Sequence, residues 1–466
     1  MRRGVEEEIQ EVREERKWRS LMQELRKVSY IAMPMVAINL MQHLFQVMSV
    51  MMVGHLGQLS LASVAIANSI TNVTGFSLLT GLAGGLDTLC GQAYGAQEYR
   101  KLANYTYGAI ISLLLTCIPL CIIWIFMDKL LILIGQDPSI SVEARKYSFY
   151  LIPALFGGAV FKPLTRYLQS QSLVLPLLTS CFFALCLQVA LSWVLIFKLK
   201  LGSIGAAISN SICTWLNVIC IGVYIKHSAA CKNIPMVLSK DAFLCIGKFF
   251  RLAVPSAVMV CLKWWAVEVL VLLSGFLPNP KLETSVLSIC FAISSLHFMI
   301  PHGIGAAAST RVSNELGAGK AKAAQMAVCT VMLITATETA IVCSSLYCSR
   351  HLLGHAYSKD RPVVNYIAVM TPWICASVAL DSFPAVISGI ARGSGWQHIG
   401  AYVNLGSFYL IGLPVAIVLG FVVHMKAKGF WIGIVAGTAV QSAVLSLITG
   451  LIDWQKQVTM ARERIL

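Results

Sequence analysis

The sequence predicts an all-α polytopic membrane protein, with twelve transmembrane helices arranged as two pseudo-symmetric six-helix bundles. Three observations lead there. The 466 residues have a mean hydropathy of +0.74, with 57% hydrophobic and only 12% charged residues, too few charges to coat a soluble protein of this size. Twelve stretches are long and apolar enough to cross a bilayer, which takes about 20 residues each. The second six of these repeat features of the first six.

The spans are expected at 30–53, 61–85, 105–127, 147–169, 174–197, 203–225, 250–275, 284–306, 323–346, 363–389, 399–423 and 429–452. Backbone amides cannot go unpaired in hydrocarbon, so each span must be a helix. None alternates polar and apolar residues as a barrel strand would. Residues 1–29 are densely charged and read as a cytosolic N-terminal tail in helical form, solvated rather than a binding site, and not as a cleavable leader. Residues 30–226 form an N-lobe of helices 1–6 and 250–452 a C-lobe of helices 7–12. Residues 227–249 link the lobes in the cytosol, and 453–466 form a cytosolic C-terminal tail. Basic residues concentrate in the loops and tails on the side of the two termini, the asymmetry expected if both ends face the cytosol.

The formal net charge of +15 fits topology and contact with anionic lipid rather than nucleic acid. Fifteen cysteines fall mostly inside apolar runs, where Cys is a small hydrophobe. Neither a C-x-x-C pair nor H-E-x-x-H is present, so a metal site, a cofactor or a disulfide framework is not expected. The stretch "GGLDTLCGQAYGA" from Gly84 fits neither phosphate-binding glycine motif. A membrane-embedded enzyme would need a nucleophile, metal cluster or acid–base pair near a membrane face, and none is found.

That glycine-rich stretch belongs to the repeat. "GLAGGLDTLCGQAYGA" from Gly81 aligns with "GIGAAASTRVSNELGA" from Gly303 at an offset of 222, matching Thr88 to Thr310, Gln92 to Asn314 and Gly95 to Gly317. Pro34 falls near the equivalent of Pro255. Six spans per half is an even number, so the halves enter the membrane with the same orientation, related by an axis along its normal. Such an architecture suits a carrier whose two lobes rock about a central site. The glycines permit close helix contact, and Asp87 is a candidate cap or latch at the cytosolic end of helix 2.

Acids inside spans are costly and mark function. Glu268 in "KWWAVEVLVLLSG" and Asp381 in "ICASVALDSFPAVISG" are the candidate proton-coupling groups, since desolvation raises a carboxyl pKa toward neutrality. Glu338 in "ITATETAIV" is a further intramembrane acid, better suited to a structural or lipid-interface role. Lys162 and Lys263 also fall inside spans. Trp264, Trp265, Phe291, Trp373 and Tyr409 are candidate aromatic walls of a substrate pocket, with Asn404 a polar partner. Trp264 stands one turn before Glu268 and shares its face. Pro34 can kink helix 1.

"LDTLCGQAYGA", "RVSNELGAG", "P-x-x-x-x-x-x-x-KWWAVE" and "GIARGSGWQHIGAYVN" together resemble the multidrug and toxic compound extrusion (MATE) family, and within it the plant DETOXIFICATION subgroup. The resemblance covers nearly the whole chain after about residue 28. It implies a V-shaped pair of six-helix bundles, working as a monomer, that exports cationic or polar organic compounds in exchange for H⁺ or Na⁺. Family members of eukaryotes carry acids at the places of Glu268 and Asp381. Two departures stand out. The helix-7 pattern E-W-W-x-x-E has Lys263 at its first acid; five residues turn a helix by about 140°, so Lys263 and Glu268 lie on different faces. Helix 1 lacks the acid common in bacterial relatives and offers Asn39, Gln42, His43 and Gln46 instead. With no cation cage in view, H⁺ is the expected coupling ion; a plasma or a vacuolar membrane fits equally, and a lipid flippase of related fold is the rival reading.

Overall fold

The computed structural model describes residues 2–232, 239–274, 276–277, 280–357 and 361–465. Among them it is helical throughout, with no strand. The long helices are α1 (Arg2–Gly54), α2 (Gln58–Gly95), α3 (Tyr99–Ile125), α4 (Pro138–Ser170), α5 (Leu175–Lys198), α6 (Gly202–His227), α7 (Ile246–Ser274), α8 (Pro280–Gly317), α9 (Ala321–Cys348), α10 (Arg361–Ser394), α11 (Gln397–Val422) and α12 (Lys426–Leu451), followed by a short α13 (Trp454–Ile465).

Eleven of the twelve long helices are apolar enough to span a membrane by composition alone. The exception is α4, which carries Glu143, Arg145, Lys146, Lys162 and Arg166. It packs between α2, α3 and α6, so protein rather than lipid surrounds much of it, and Arg166 near its buried end finds protein partners in Asp87 and Gln169. Its start is fixed by Asp137, which accepts from the Ser139 and Ile140 amides at 2.8 and 3.3 Å and precedes Pro138 at the first helical position, an ordinary N-cap followed by a proline whose missing N–H costs nothing there.

Several helices outrun the expected spans. α2 continues to Gly95, α8 begins at Pro280 and ends at Gly317, and α10 starts at Arg361. Hydropathy drops in these extensions because they pack on other helices, yet the backbone keeps its helical pairing. The chain from Arg2 onward is helical, as expected of the tail, and runs without a break into the first span as one helix. Pro34 sits inside it, half-buried. The C-terminal segment forms α13 against α2, α8 and α9. The inter-lobe segment 227–249 includes short helices at Ala229–Cys231 and Asp241–Leu244; residues 233–238 lie outside the described residues.

The halves meet through two symmetry-related pairings: α1 packs on α8, and α2 packs on α7. The tightest part of the seam lies where α2 crosses α8 at the end that carries both termini. A methyl group on Gly95 would collide with the Asn314 carbonyl, and one on Gly317 with the Gln92 carbonyl. Glycine alone lets the backbones approach that closely.

Candidate functional site

Between the halves lies a cavity of about 410 Å³, a volume suited to a drug-sized ligand. Its wall draws on both lobes. α1 contributes Asn39, Gln42, His43 and Gln46; α2 contributes Asn72, Phe76, Ser77 and Thr80; α4 contributes Lys162. Across from them stand Lys263, Trp264 and Glu268 of α7, Phe298 and His302 of α8, Arg392 of α10, Asn404 of α11 and Gln441 of α12. Beside the cavity α2 opens into a π-helical turn over Asn72–Phe76. Such a turn interrupts the regular ladder. Within it the Val73 carbonyl accepts from Trp265 Nε1 at 3.2 Å, tying α2 of one lobe to α7 of the other.

Glu268 is the one carboxylate on the cavity wall among the described residues. Its Oε2 accepts from Ser69 Oγ of the opposite lobe at 2.8 Å. Trp264 lines the cavity one turn away and meets Phe298 edge-to-face at 5.8 Å and 86°. Asn404 is buried on the wall: its Nδ2 donates to the Met259 carbonyl and its Oδ1 accepts from Gln441 Nε2, each at 2.6 Å. Asn39 of α1 meets His302 Nδ1 of α8 at 3.1 Å.

Asp381 is arranged differently. It is ion-paired with Lys263, whose ammonium also lies 4.3 Å from the Phe298 ring centre. Asp381 itself is not on the cavity wall; Lys263 is, and stands between the two. The basic residue that replaces the family's first helix-7 acid therefore has a partner on α10.

The other expected pocket residues lie elsewhere. Trp265 points at α2, as above. Phe291 packs on Trp431 at 5.0 Å between ring centres, in a second apolar cluster of the C-terminal half. Trp373 belongs to that cluster; its carbonyl accepts from Trp431 Nε1 at 3.2 Å. Tyr409 donates its hydroxyl to the Leu262 carbonyl at 3.2 Å, bracing α11 on α7. Phe291, Trp373 and Tyr409 hold the C-terminal half together, and Trp265 ties it to α2, the ordinary fate of a large aromatic in a helix bundle. Glu338 also stays off the cavity and meets His297 Nε2 at 3.0 Å.

Below the cavity, toward the termini, Asp87 lies between two guanidinium groups. Arg166 Nε of α4 is 3.2 Å from Oδ1, and Arg392 Nε of α10 is 2.9 Å from Oδ2. Asp87 and Arg392 are both buried. One carboxylate thus pairs with Arg166 in its own lobe and joins the other lobe through a charge-assisted hydrogen bond from Arg392. Around it Thr88 Oγ1 donates to the Arg392 carbonyl, and Gln169 Nε2 donates to the Ala306 carbonyl and Thr310 Oγ1, both at 3.0 Å.

Two further clamps were not legible in the sequence. Glu24, read as part of a solvated tail, is buried and takes both Arg311 Nε at 2.7 Å and a terminal Arg311 nitrogen at 3.0 Å. The fork joins α1 to α8. Arg464 of α13 reaches the Ser394 carbonyl at 2.8 Å and Gln92 Oε1 at 3.4 Å, one contact in each lobe. The one signal for Glu24 was its i to i+3 spacing from Lys27, which any exposed helix shares.

Comparison with known proteins agrees with the geometry. The family described as MatE matches residues 34–194 and 255–418, one block in each half. Protein DETOXIFICATION 8 of Arabidopsis thaliana is 51% identical over 442 residues, covering 95% of this chain and 91% of its own. Protein DETOXIFICATION 12 of the same plant is 50% identical over 442 residues, covering 95% and 92%. The crystal structure of the eukaryotic MATE transporter AtDTX14 superposes with a TM-score of 0.93 at 50% identity, covering 96% of this chain and all of that one. The outward-facing conformation of a multidrug resistance MATE family transporter matches the fold at a TM-score of 0.83 and 16% identity, covering 94% of this chain and 97% of that one.

Proposed function

This chain belongs to the multidrug and toxic compound extrusion family of multi-pass membrane transporters, and on that premise we propose that it exports organic compounds in exchange for protons, with Glu268 as the principal coupling carboxylate. It is an efflux transporter and not an enzyme. The observation that carries the proposal is the position of Glu268: it faces the cavity, and its hydrogen-bond partner Ser69 belongs to the other lobe.

An ionised Glu268 accepts hydrogen bonds and attracts cationic or polar groups of a substrate. Protonation removes the charge and turns an acceptor into a donor. Substrate and proton therefore compete for one group, the requirement for exchange. Asp381 contributes through Lys263: a proton on Asp381 would free the ammonium on the cavity wall. Trp264 and Phe298 offer an aromatic surface for flat compounds.

In this reading residues 30–226 and 250–452 rock as two lobes of a monomer, with the linker 227–249 and both termini in the cytosol and the protein in the plasma or vacuolar membrane. The cytosolic end is sealed by the Asp87 cluster and its neighbours. Rocking must break these contacts together, which makes the seal a two-position device. Pro34 in α1 lacks one helical hydrogen bond and is the natural place for α1 to bend.

The test is ethidium export from proteoliposomes driven by an imposed pH gradient, with a sodium gradient as the contrast. Export that follows the pH gradient and disappears in Glu268→Gln is expected. Export driven by sodium alone, or unchanged in the variant, overturns proton coupling through this group.

A further inference from the structure

Among the described residues, Lys162 is the cation on the cavity wall without an acidic partner. Four cations, Lys162, Arg166, Lys263 and Arg392, lie close enough to act electrostatically on His302 at the inner wall. Three of them are answered: Asp87 holds both arginines, and Asp381 holds Lys263. Among the described residues no carboxylate pairs with Lys162; the charged neighbour that acts on it is Arg166, of the same sign. Lys162 is half-buried and lines the same cavity as Glu268. The two unpaired charges on the wall thus have opposite sign and sit on different lobes.

An ammonium removed from water without a counter-charge is costly, and its three N–H groups suit a compact oxygen anion. We propose that Lys162 is a substrate-binding residue, which receives an anionic oxygen group, a carboxylate above all, carried by an aromatic compound whose ring lies against Trp264 and Phe298. This rests on the exporter reading and narrows it: the preferred cargo is amphoteric, with its acidic group toward the N-terminal half and its basic or polar end toward Glu268. A purely cationic compound would face Lys162 with the wrong charge.

The test uses two dyes of one shape. Tetramethylrhodamine methyl ester is a cation, and its free acid carries a carboxylate at the same place. Each is measured as a competitor of ethidium export by the full chain in proteoliposomes, and its direct binding to the purified protein is followed by fluorescence anisotropy. The readout is the ratio of the acid's affinity to the ester's, which partial misfolding does not move. Lys162→Met is expected to lower that ratio by about ten- to a hundredfold, the value of a charge-assisted hydrogen bond, and Lys162→Arg is expected to keep most of it. An unchanged ratio in Lys162→Met, or an equal fall in Lys162→Arg, overturns the proposal. Wild-type protein that exports neither ethidium nor the free acid under any gradient defeats the exporter reading, while the binding ratio still decides the role of Lys162.

Discussion

Gln92 and Asn314 occupy equivalent places in the two halves and make equivalent bonds across the seam. Gln92 Nε2 donates to the Gly393 carbonyl of α10 at 3.1 Å, and Asn314 Nδ2 donates to the Ser170 carbonyl of α4 at 2.9 Å. Each side chain leaves its own half and ties the last turn of a helix in the other. The neighbouring glycines, Gly95 and Gly317, let α2 and α8 come close enough for these bonds to form. The repeated sequence is therefore the repeated half of one joint.

A methyl group at Gly95 or Gly317 should prevent that joint from closing. Gly95→Ala and Gly317→Ala are each expected to expose the terminal end of the cavity, because the obstruction is backbone that cannot swing aside. Labelling of a cysteine introduced at Ser309, buried in the seam, would report it. Labelling at the wild-type rate would show that the seam tolerates the extra atom.

The seal is symmetric in its hydrogen bonds but not in its charges, since Ser309 stands where the repeat would place the counterpart of Asp87. Asp87→Asn leaves Arg166 and Arg392 without a full counter-charge. Loss of one partner from a buried ion cluster costs about 3–5 kcal/mol. The variant should melt at lower temperature in detergent and lose gradient-driven export. Melting and export at wild-type levels would mean that water already shares these guanidinium groups.

Much of this architecture was legible in the sequence, and the reasons are physical. Hydropathy registers helices that face lipid, so the spans stood out, and Asp87 stood out because an acid among glycines in an apolar stretch is expensive. What escaped depended on neighbours distant in the chain. Nothing in "RSLMQELRK" distinguishes Glu24 from the other glutamates of its charged helix; the distinction is made by Arg311 of α8. Trp265, Phe291, Trp373 and Tyr409 resemble Trp264 in sequence, yet a rotation of one residue along a helix turns a cavity wall into a packing contact. Lys263 could be placed off the face of Glu268 by counting residues, while its pairing with Asp381 required α10 to be in position.

That pairing predicts a compensation. Lys263→Met leaves Asp381 a lone carboxylate inside the C-terminal half, and Asp381→Asn leaves Lys263 a lone ammonium on the cavity wall. Each single change should destabilise, and the double change should recover part of the loss. The coupling energy is expected to be about 1–3 kcal/mol, lowered from that of a fully buried pair because the two side chains are 19% and 24% exposed. Additive losses in thermal melts of the four proteins would contradict the pairing.

The C-terminal helix should stabilise one conformation of the carrier. Arg464 bonds to carbonyl groups at the end of α10 and to Gln92 of α2, while Lys101 of α3 donates to the Ile465 carbonyl. The contacts with Gln92 and Lys101 cross to the other half and exist only while the terminal end is shut, so α13 favours the shut state. A contact of that kind shifts the equilibrium by its differential energy. Loss of the Arg464–Gln92 bond, at about 1 kcal/mol, should raise the open population several-fold. Deletion of residues 454–466 should act in the same direction and more strongly. Distances between spin labels on α2 and α8 would report it, with the open-state population rising in the order wild type, Arg464→Ala, deletion. An unaltered distribution in the deletion would mean that the seam of Gly95, Asp87 and Asn314 holds the end shut unaided, with α13 merely resting on it.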